Sequence, residues 1–374
     1  MLPKLILSGL QTATRRATAV KELVRATSTR GRCQLILAAV VSVGLGGAPR
    51  QAYAQTPAQA APEPAGGGGT EIILLGTRGG PGSDERRSQP SSLFKVNGTS
   101  YLIDVGDGTS RQLAGIGMTP LDIRTIFITH HHLDHTAGLA PLIALSWIRR
   151  GLAGANDAKT AVYGPPSTQA LVTASLGFLS TSERIFRDGI PSLPTARPMF
   201  SGHDFAKNGL IFRDENIRVT AVENAHFHHQ SSVKGGQRDM SFSYRFDTPN
   251  GSVVFTGDTG PSDAVTELAK GADILVSEVF MPRETPPPGS GSNTALQAQL
   301  LYHLTQEHLL PEEVGKMATK AGVKTVILTH YVPATDPAPF VAAVKKHFKG
   351  NVIGGTDLMR IDLATGDVKS KSAD

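Results

Sequence analysis

Thr129-His130-His131-His132-Leu133-Asp134-His135 is the stretch on which the reading of this chain turns. It closes a short apolar segment, Thr125 to Thr129, that reads as a buried strand. Imidazoles two residues apart at a strand's end lie on one side, so His130 and His132 can share one ion. Beyond them the chain turns toward a helix, which frees Asp134 and His135 to face a neighbouring ion. Neutral imidazole and carboxylate are donors suited to Zn²⁺. A lone histidine would be read as part of a solvated loop. Three further candidates at the ends of predicted strands reverse that reading: His226 in Glu223-Asn224-Ala225-His226, Asp258 in Phe255-Thr256-Gly257-Asp258-Thr259, and His330 in Leu328-Thr329-His330-Tyr331.

Working outward, Ile72 to Leu75 predicts a strand, followed by the turn Gly76-Thr77-Arg78-Gly79-Gly80-Pro81. Leu93 to Val96 and Tyr101 to Val105 flank Asn97-Gly98, a hairpin signal because both residues tolerate positive φ. Helices are predicted at Thr109 to Gly115, Gly138 to Arg149, Ser167 to Leu176, Ser262 to Ala269, Pro311 to Ala321 and Pro339 to Phe348. Further strands are predicted at Ala161 to Tyr163, Ile217 to Val222, Ser241 to Phe246, Ser252 to Thr256, Ile274 to Ser277, Thr325 to Thr329 and Asn351 to Ile353. Between Gly177 and Asn208 the pattern is weak. Two halves that each mix hairpins with later helices argue for two packed sheets with helices outside.

The chain has 374 residues, 40% of them apolar and 18% charged. With a mean hydropathy of −0.10, this excludes a wholly disordered polymer and a polytopic membrane protein. A net charge of +5 suggests a polyanion partner until the charges are placed. Residues 1–54 hold eight Lys and Arg against the single acid Glu22, so the rest is slightly acidic and a nucleic-acid surface is disfavoured. Residues 1–54 read as an export signal: a basic stretch ending at Arg32, an apolar run from Leu35 to Leu45, and a small-x-small site at Ala52-Tyr53-Ala54. Cleavage there would leave a periplasmic or secreted protein beginning near Gln55, with no stable membrane insertion; an uncleaved anchor is the alternative. Residues 55–70 are a Pro, Ala and Gly-rich linker, and 71–374 form a single folded domain. Cys33 is the only cysteine and lies in the leader, so any metal must be held by His, Asp and Glu.

From about Glu71 to Leu363 the chain resembles the metallo-β-lactamase-fold hydrolases, because H-x-H-x-D-H is followed in order by His, Asp and His. The resemblance implies an α/β, four-layer αββα sandwich with its site at an open edge. It implies His130, His132 and His226 on a first metal, Asp134, His135 and His330 on a second, and Asp258 bridging both. The F-T-G-D-T setting of Asp258 looks like the dinuclear esterase and phosphodiesterase branches and unlike true β-lactamases, which lack a bridging aspartate there. Flavodiiron proteins usually carry Glu where this chain has His132, so redox chemistry is disfavoured. Leu75 to Pro81, Ser277-Glu278, and His308 ahead of Leu310-Pro311-Glu312-Glu313 look most like the ribonuclease Z and arylsulfatase-like branch. Ribonuclease Z usually has His-Glu-Ala where this chain reads Ser277-Glu278-Val279, and it often carries a tRNA-clamping arm that the sequence does not show.

The expected activity is that of a dinuclear zinc hydrolase acting through a metal-bound hydroxide on a phosphodiester or sulfate ester of a small molecule. Two zinc ions per chain are implied, with other divalent metals and a homodimer left open. Asp134 orients the nucleophile by resemblance, and His308 protonates the leaving group or simply flanks a helix. The alternatives are a ribonuclease Z-like endoribonuclease, a lactonase or thioesterase, and a metal-binding protein without turnover. His228 or His229 replaces His226 if the loop register differs, and His131 supports the ligands or faces solvent. Glu278 either fixes a histidine tautomer or caps a strand. The Gly76 to Pro81 turn borders the metal site rather than cradling a phosphate, since it lacks the G-K-[ST] ending. Met281 to Asn293 forms a mobile loop over the substrate or a plain connection.

Overall fold

Alternating apolar side chains on single strands feed two different cores, and this is what stacks the molecule into layers. In β1 (Thr70–Gly76), Ile72 and Leu74 enter one buried cluster while Ile73 and Leu75 enter another. The computed structural model describes residues 69–80, 82, 84–228, 238–282, 294–333 and 336–370. The export signal, the linker up to residue 68, Pro81, His229 and residues 283–293 of the expected loop lie outside the described residues.

After β1, one sheet continues through β2 (Ser91–Val96), β3 (Thr99–Ile103), β4 (Thr125–Phe127), β5 (Thr160–Gly164) and β6 (Phe200–Asp204). It is extended on the far side of β1 by β14 (Arg360–Asp362) and β15 (Val368–Lys369). The other sheet is ordered β7 (Gly209–Arg213), β8 (Arg218–Glu223), β9 (Phe242–Thr248), β10 (Gly251–Phe255), β11 (Ile274–Phe280), β12 (Thr325–Val332) and β13 (Asn351–Gly354). The helices are α1 (Thr109–Gly115), α2 (Leu133–Thr136), α3 (Leu139–Ala153), α4 (Thr168–Gly189), α5 (Asp263–Leu268), α6 (Thr294–Glu307), α7 (Pro311–Ala321) and α8 (Ala338–Val344).

Between the sheets, Phe94, Tyr101 and Phe127 meet Phe242, Tyr244, Phe246 and Phe255, with the Phe127 and Phe246 rings edge to face at 5.3 Å. Outside the first sheet, Leu113, Leu142, Trp147 and Val172 bring α1, α3 and α4 onto it. Val265, Val314, Ala318 and Phe340 bring α5, α7 and α8 onto the second. The result is the expected α/β sandwich of two sheets between helical layers.

Strands β3 to β6 are mutually parallel, as are β10 to β13. Their carboxyl ends therefore collect at one edge, the usual place for a ligand in parallel sheets. The Asn97-Gly98 hairpin is present, with φ of 51° and 83°.

Several elements were not legible in advance. The helix expected to stop at Leu176 runs on to Gly189, and the weakly patterned stretch after it holds β6. Phe178 and Ile185 are 71% and 58% exposed, so the far end of α4 has no clean apolar stripe to read. Helix α6 was missed for the same reason, since Leu296, Leu300, Leu301 and Tyr302 all lie on its exposed surface. The linker expected to reach residue 70 gives way one residue sooner, because Thr70 opens β1 and pairs with Val96. No helix among the described residues is long and apolar enough to cross a membrane.

Candidate metal centre

His130 follows the carboxyl end of β4, and His132 and Asp134 stand just before and within α2. His226 follows β8, Asp258 follows β10, and His330 lies in β12 with φ of 49°. One donor atom each from His130, His132, His226 and Asp258 lie within 4.8 Å of one another. The same is true of Asp134, His135, Asp258 and His330. Asp258 thus belongs to both groups, and the two sets are those the resemblance implied. His226 Nε2 is 3.0 Å from His132 Nδ1, and His330 Nε2 is 3.1 Å from Asp258 Oδ2 and 3.4 Å from Asp134 Oδ2.

Several polar atoms at the centre are left unbonded. His130 Nε2, His135 Nε2, His330 Nε2 and Asp258 Oδ1 are buried and have no hydrogen-bond partner. Each such atom costs about 1–3 kcal/mol unless something else satisfies it. Burial drives the His130 imidazole well below its ordinary pKa and brings His226 down to about 3, so both present neutral lone pairs. Burial also opposes charge on His135 and His330, yet neighbouring carboxylates outweigh it. Asp258, Asp104 and Asp134 hold His135 well above its usual range, and Asp258 with Asp134 lifts His330 to about 10. A pocket that pulls protons onto buried imidazoles is one that favours positive charge. Five imidazoles and Asp134 around the shared carboxylate, three of the imidazoles with unsatisfied nitrogens turned inward, fit a pair of divalent cations.

The surroundings fix which nitrogen of three of the imidazoles faces inward. His135 Nδ1 donates to Asp104 Oδ2 at 2.8 Å. Thr129 Oγ1 donates to the same carboxylate at 2.9 Å and accepts from His130 Nδ1 at 3.1 Å. His226 Nδ1 donates to the Glu307 carbonyl at 3.0 Å. Sequence reading found neither Asp104 nor the Glu307 carbonyl. Asp104 could have been suspected from its place after a buried strand, while a main-chain carbonyl leaves no signal at all. The glycine turn does border the site as expected: Gly80 N–H donates to Asp134 Oδ2 at 2.9 Å. Gly79 has to be glycine, since a Cβ there would lie 2.4 Å from His330 Nδ1.

Of the remaining candidates, His308 is brought to the site. Its Nδ1 lies 2.6 Å from Glu278 Oε2, and Glu278 Oε1 accepts from Thr259 N at 2.6 Å. Glu278 therefore serves His308 rather than a ligand imidazole. Burial works against the His308 cation, but the Glu278 carboxylate beside it raises its pKa above the ordinary value. His228 is exposed and outside both groups, whereas His226 lies in the first; His229 lies outside the described residues. His131 turns away toward Thr168, and His303 pairs with Glu307 at 3.1 Å.

A family model described as a beta-lactamase superfamily domain matches residues 100–331, a span that contains all seven of these side chains. Ribonuclease Z of Mycobacterium bovis is 29% identical over 297 residues, covering 78% of this chain and 98% of its own length. Ribonuclease Z of Mycobacterium avium is 28% identical over 298 residues, with the same two shares covered. Among solved structures, the metallo-beta-lactamase fold protein YhfI from Bacillus subtilis superposes with a TM-score of 0.58 at 17% identity, over 79% of this chain and 99% of its own. The short form of human tRNase Z does so at 0.54 and 20%, over 78% and 99%. The chain belongs to the metallo-β-lactamase superfamily of hydrolases, and its curated relatives lie on the ribonuclease Z branch.

Proposed function

We propose that this chain is a dinuclear metal-dependent hydrolase that cleaves phosphodiester bonds. The observation that carries the reading is the convergence of seven side chains, with inward atoms of His130, His135, His330 and Asp258 left without a hydrogen-bond partner. His130, His132 and His226 would hold one ion, Asp134, His135 and His330 the other, with Asp258 between them; the donor set suits zinc. Bound there, such ions supply Lewis acidity toward an ester oxygen and lower the pKa of water from 15.7 toward about 7.

The protein's own groups do the rest. Burial alone would raise the Asp134 carboxyl, but His135 and His330 hold it well below the usual range, so it stays ionised. With Oδ2 anchored by Gly80, it orients an attacking water and does not store its proton. His308 is held by Glu278 through Nδ1, a carboxylate that favours its protonated form, and it offers Nε2 to the leaving oxygen.

An RNA substrate is the second reading, favoured by curated relatives named Ribonuclease Z that match over 98% of their length. The slightly acidic balance outside residues 1–54 weighs the other way. Zinc-loaded protein is assayed on bis-p-nitrophenyl phosphate, on a precursor tRNA with a 3′ trailer, and on p-nitrophenyl sulfate. Phosphodiester turnover that is lost in Asp134→Ala and lowered about 10²–10⁴-fold in His308→Ala is expected. A folded, zinc-loaded protein inactive on both phosphodiesters would overturn the proposal.

A further inference from the structure

The imidazoles of the two groups are not all held alike. His130, His135 and His226 each bond outward, to Thr129, Asp104 and the Glu307 carbonyl. His330, whose Nδ1 has no hydrogen-bond partner and lies 3.9 Å from Glu278 Oε2, is wedged against Gly79. His132 has neither support. Its single side-chain hydrogen bond among the described residues is the inward contact with His226, and its ring otherwise packs edge to face against His130 and Phe227, centroids 4.8 and 5.1 Å apart, neither of which fixes a ring nitrogen.

The main chain must therefore aim His132, and the preceding residue is tied down on the opposite side. His131 Nε2 lies 3.0 Å from Thr168 Oγ1. The Thr168 hydroxyl has one proton, and it goes to the Pro165 carbonyl at 2.7 Å. Its oxygen is thus the acceptor, and His131 Nε2–H the donor. Thr168 is fully buried and opens the long helix α4. That helix start is itself fixed, since Asp204 accepts from Ser167 N at 3.0 Å and from Gln169 N at 2.7 Å. Gly164 makes room for the hydroxyl, because a Cβ there would sit 2.5 Å from it.

We infer that His131 is a positioning residue that, through its bond to Thr168, braces the loop carrying His130 and His132 against α4 and so sets the aim of the otherwise unsupported His132. The inference rests on the metal reading above and concerns a residue that touches neither ion nor substrate. Losing such an outer partner typically costs 10–100-fold in metal affinity.

Cobalt(II) titration of the full protein tests it, reading the dissociation constant and the visible absorption of the bound ion. His131→Leu removes the donor and Thr168→Val the acceptor, while His131→Gln keeps an N–H at a similar reach. Both removals are expected to weaken cobalt binding at least about tenfold and to change the absorption, with His131→Gln within about twofold of the parent. If Thr168→Val does not fold, His131→Leu carries the test. A folded His131→Leu protein with parental affinity and absorption overturns this inference alone. A parent that takes up no cobalt overturns the metal reading, and this one with it.

Discussion

Asp104 shows how much one unpredicted residue can carry. It accepts from Thr129 N, from the Thr129 hydroxyl and from His135 Nδ1, so one carboxylate sets the end of β4 and a ligand's tautomer together. Replacing it with Ala should weaken zinc binding about 10–100-fold in a competition titration against a chelator; unchanged affinity would show that His135 needs no such support. Gly257, next to Asp258, makes a different demand. Its φ of +57° and the 2.9 Å that would separate a Cβ from Thr129 Cβ leave no room for a side chain. Gly257→Ala should cost roughly 1–3 kcal/mol, read as a lower denaturant midpoint, through strained backbone next to the shared carboxylate.

Helix α3 illustrates the element scale, where polar anchoring and apolar packing share one face. Leu142, Ile143 and Trp147 seat it on the first sheet, and the fully buried Arg150 ties its last turn to three places on the chain. The guanidinium donates to Ala158 O at 3.1 Å, Ile123 O at 3.0 Å and Thr160 Oγ1 at 2.8 Å. Arg150→Met would leave these buried acceptors short of donors, at a cost of roughly 2–3 kcal/mol in urea denaturation. Zinc content should not change, because none of these contacts reaches the metal-facing groups; a loss of zinc would mean the helix positions the site. Among helices, Pro311 to Ala321 was legible to the residue, since proline starts it and Gly322 ends it in a left-handed turn. The outer parts of α4 and all of α6 were not, because their surfaces lack the apolar stripe that periodicity detects.

At the scale of the whole molecule, the site joins the two sheets: His130 and His135 come from the first, and His226, Asp258 and His330 from the second. Ions that bind only the folded form stabilise it by about 2.7 kcal/mol at a hundredfold excess over Kd. Stripping with a chelator should therefore lower Tm by at least about 5 °C, and zinc should restore it; an unmoved Tm would disconnect the site from the sandwich. Export of the chain remains our proposal, and sequencing the N-terminus of isolated protein should find a start near Gln55, whereas an intact leader would indicate an anchor. What the amino-acid order determined alone was local chemistry: donors spaced along H-x-H-x-D-H, the later His226, Asp258 and His330, the hairpin, and strands with two buried faces. Only the folded structure decided the partners, because these come from distant parts of the chain. His226 meets a carbonyl 81 residues away, Asp134 an amide 54 away and His135 a carboxylate 31 away. Periodicity and composition report which face a residue is buried on. Which group waits there depends on how two sheets and their helices pack, and no short window of sequence contains that.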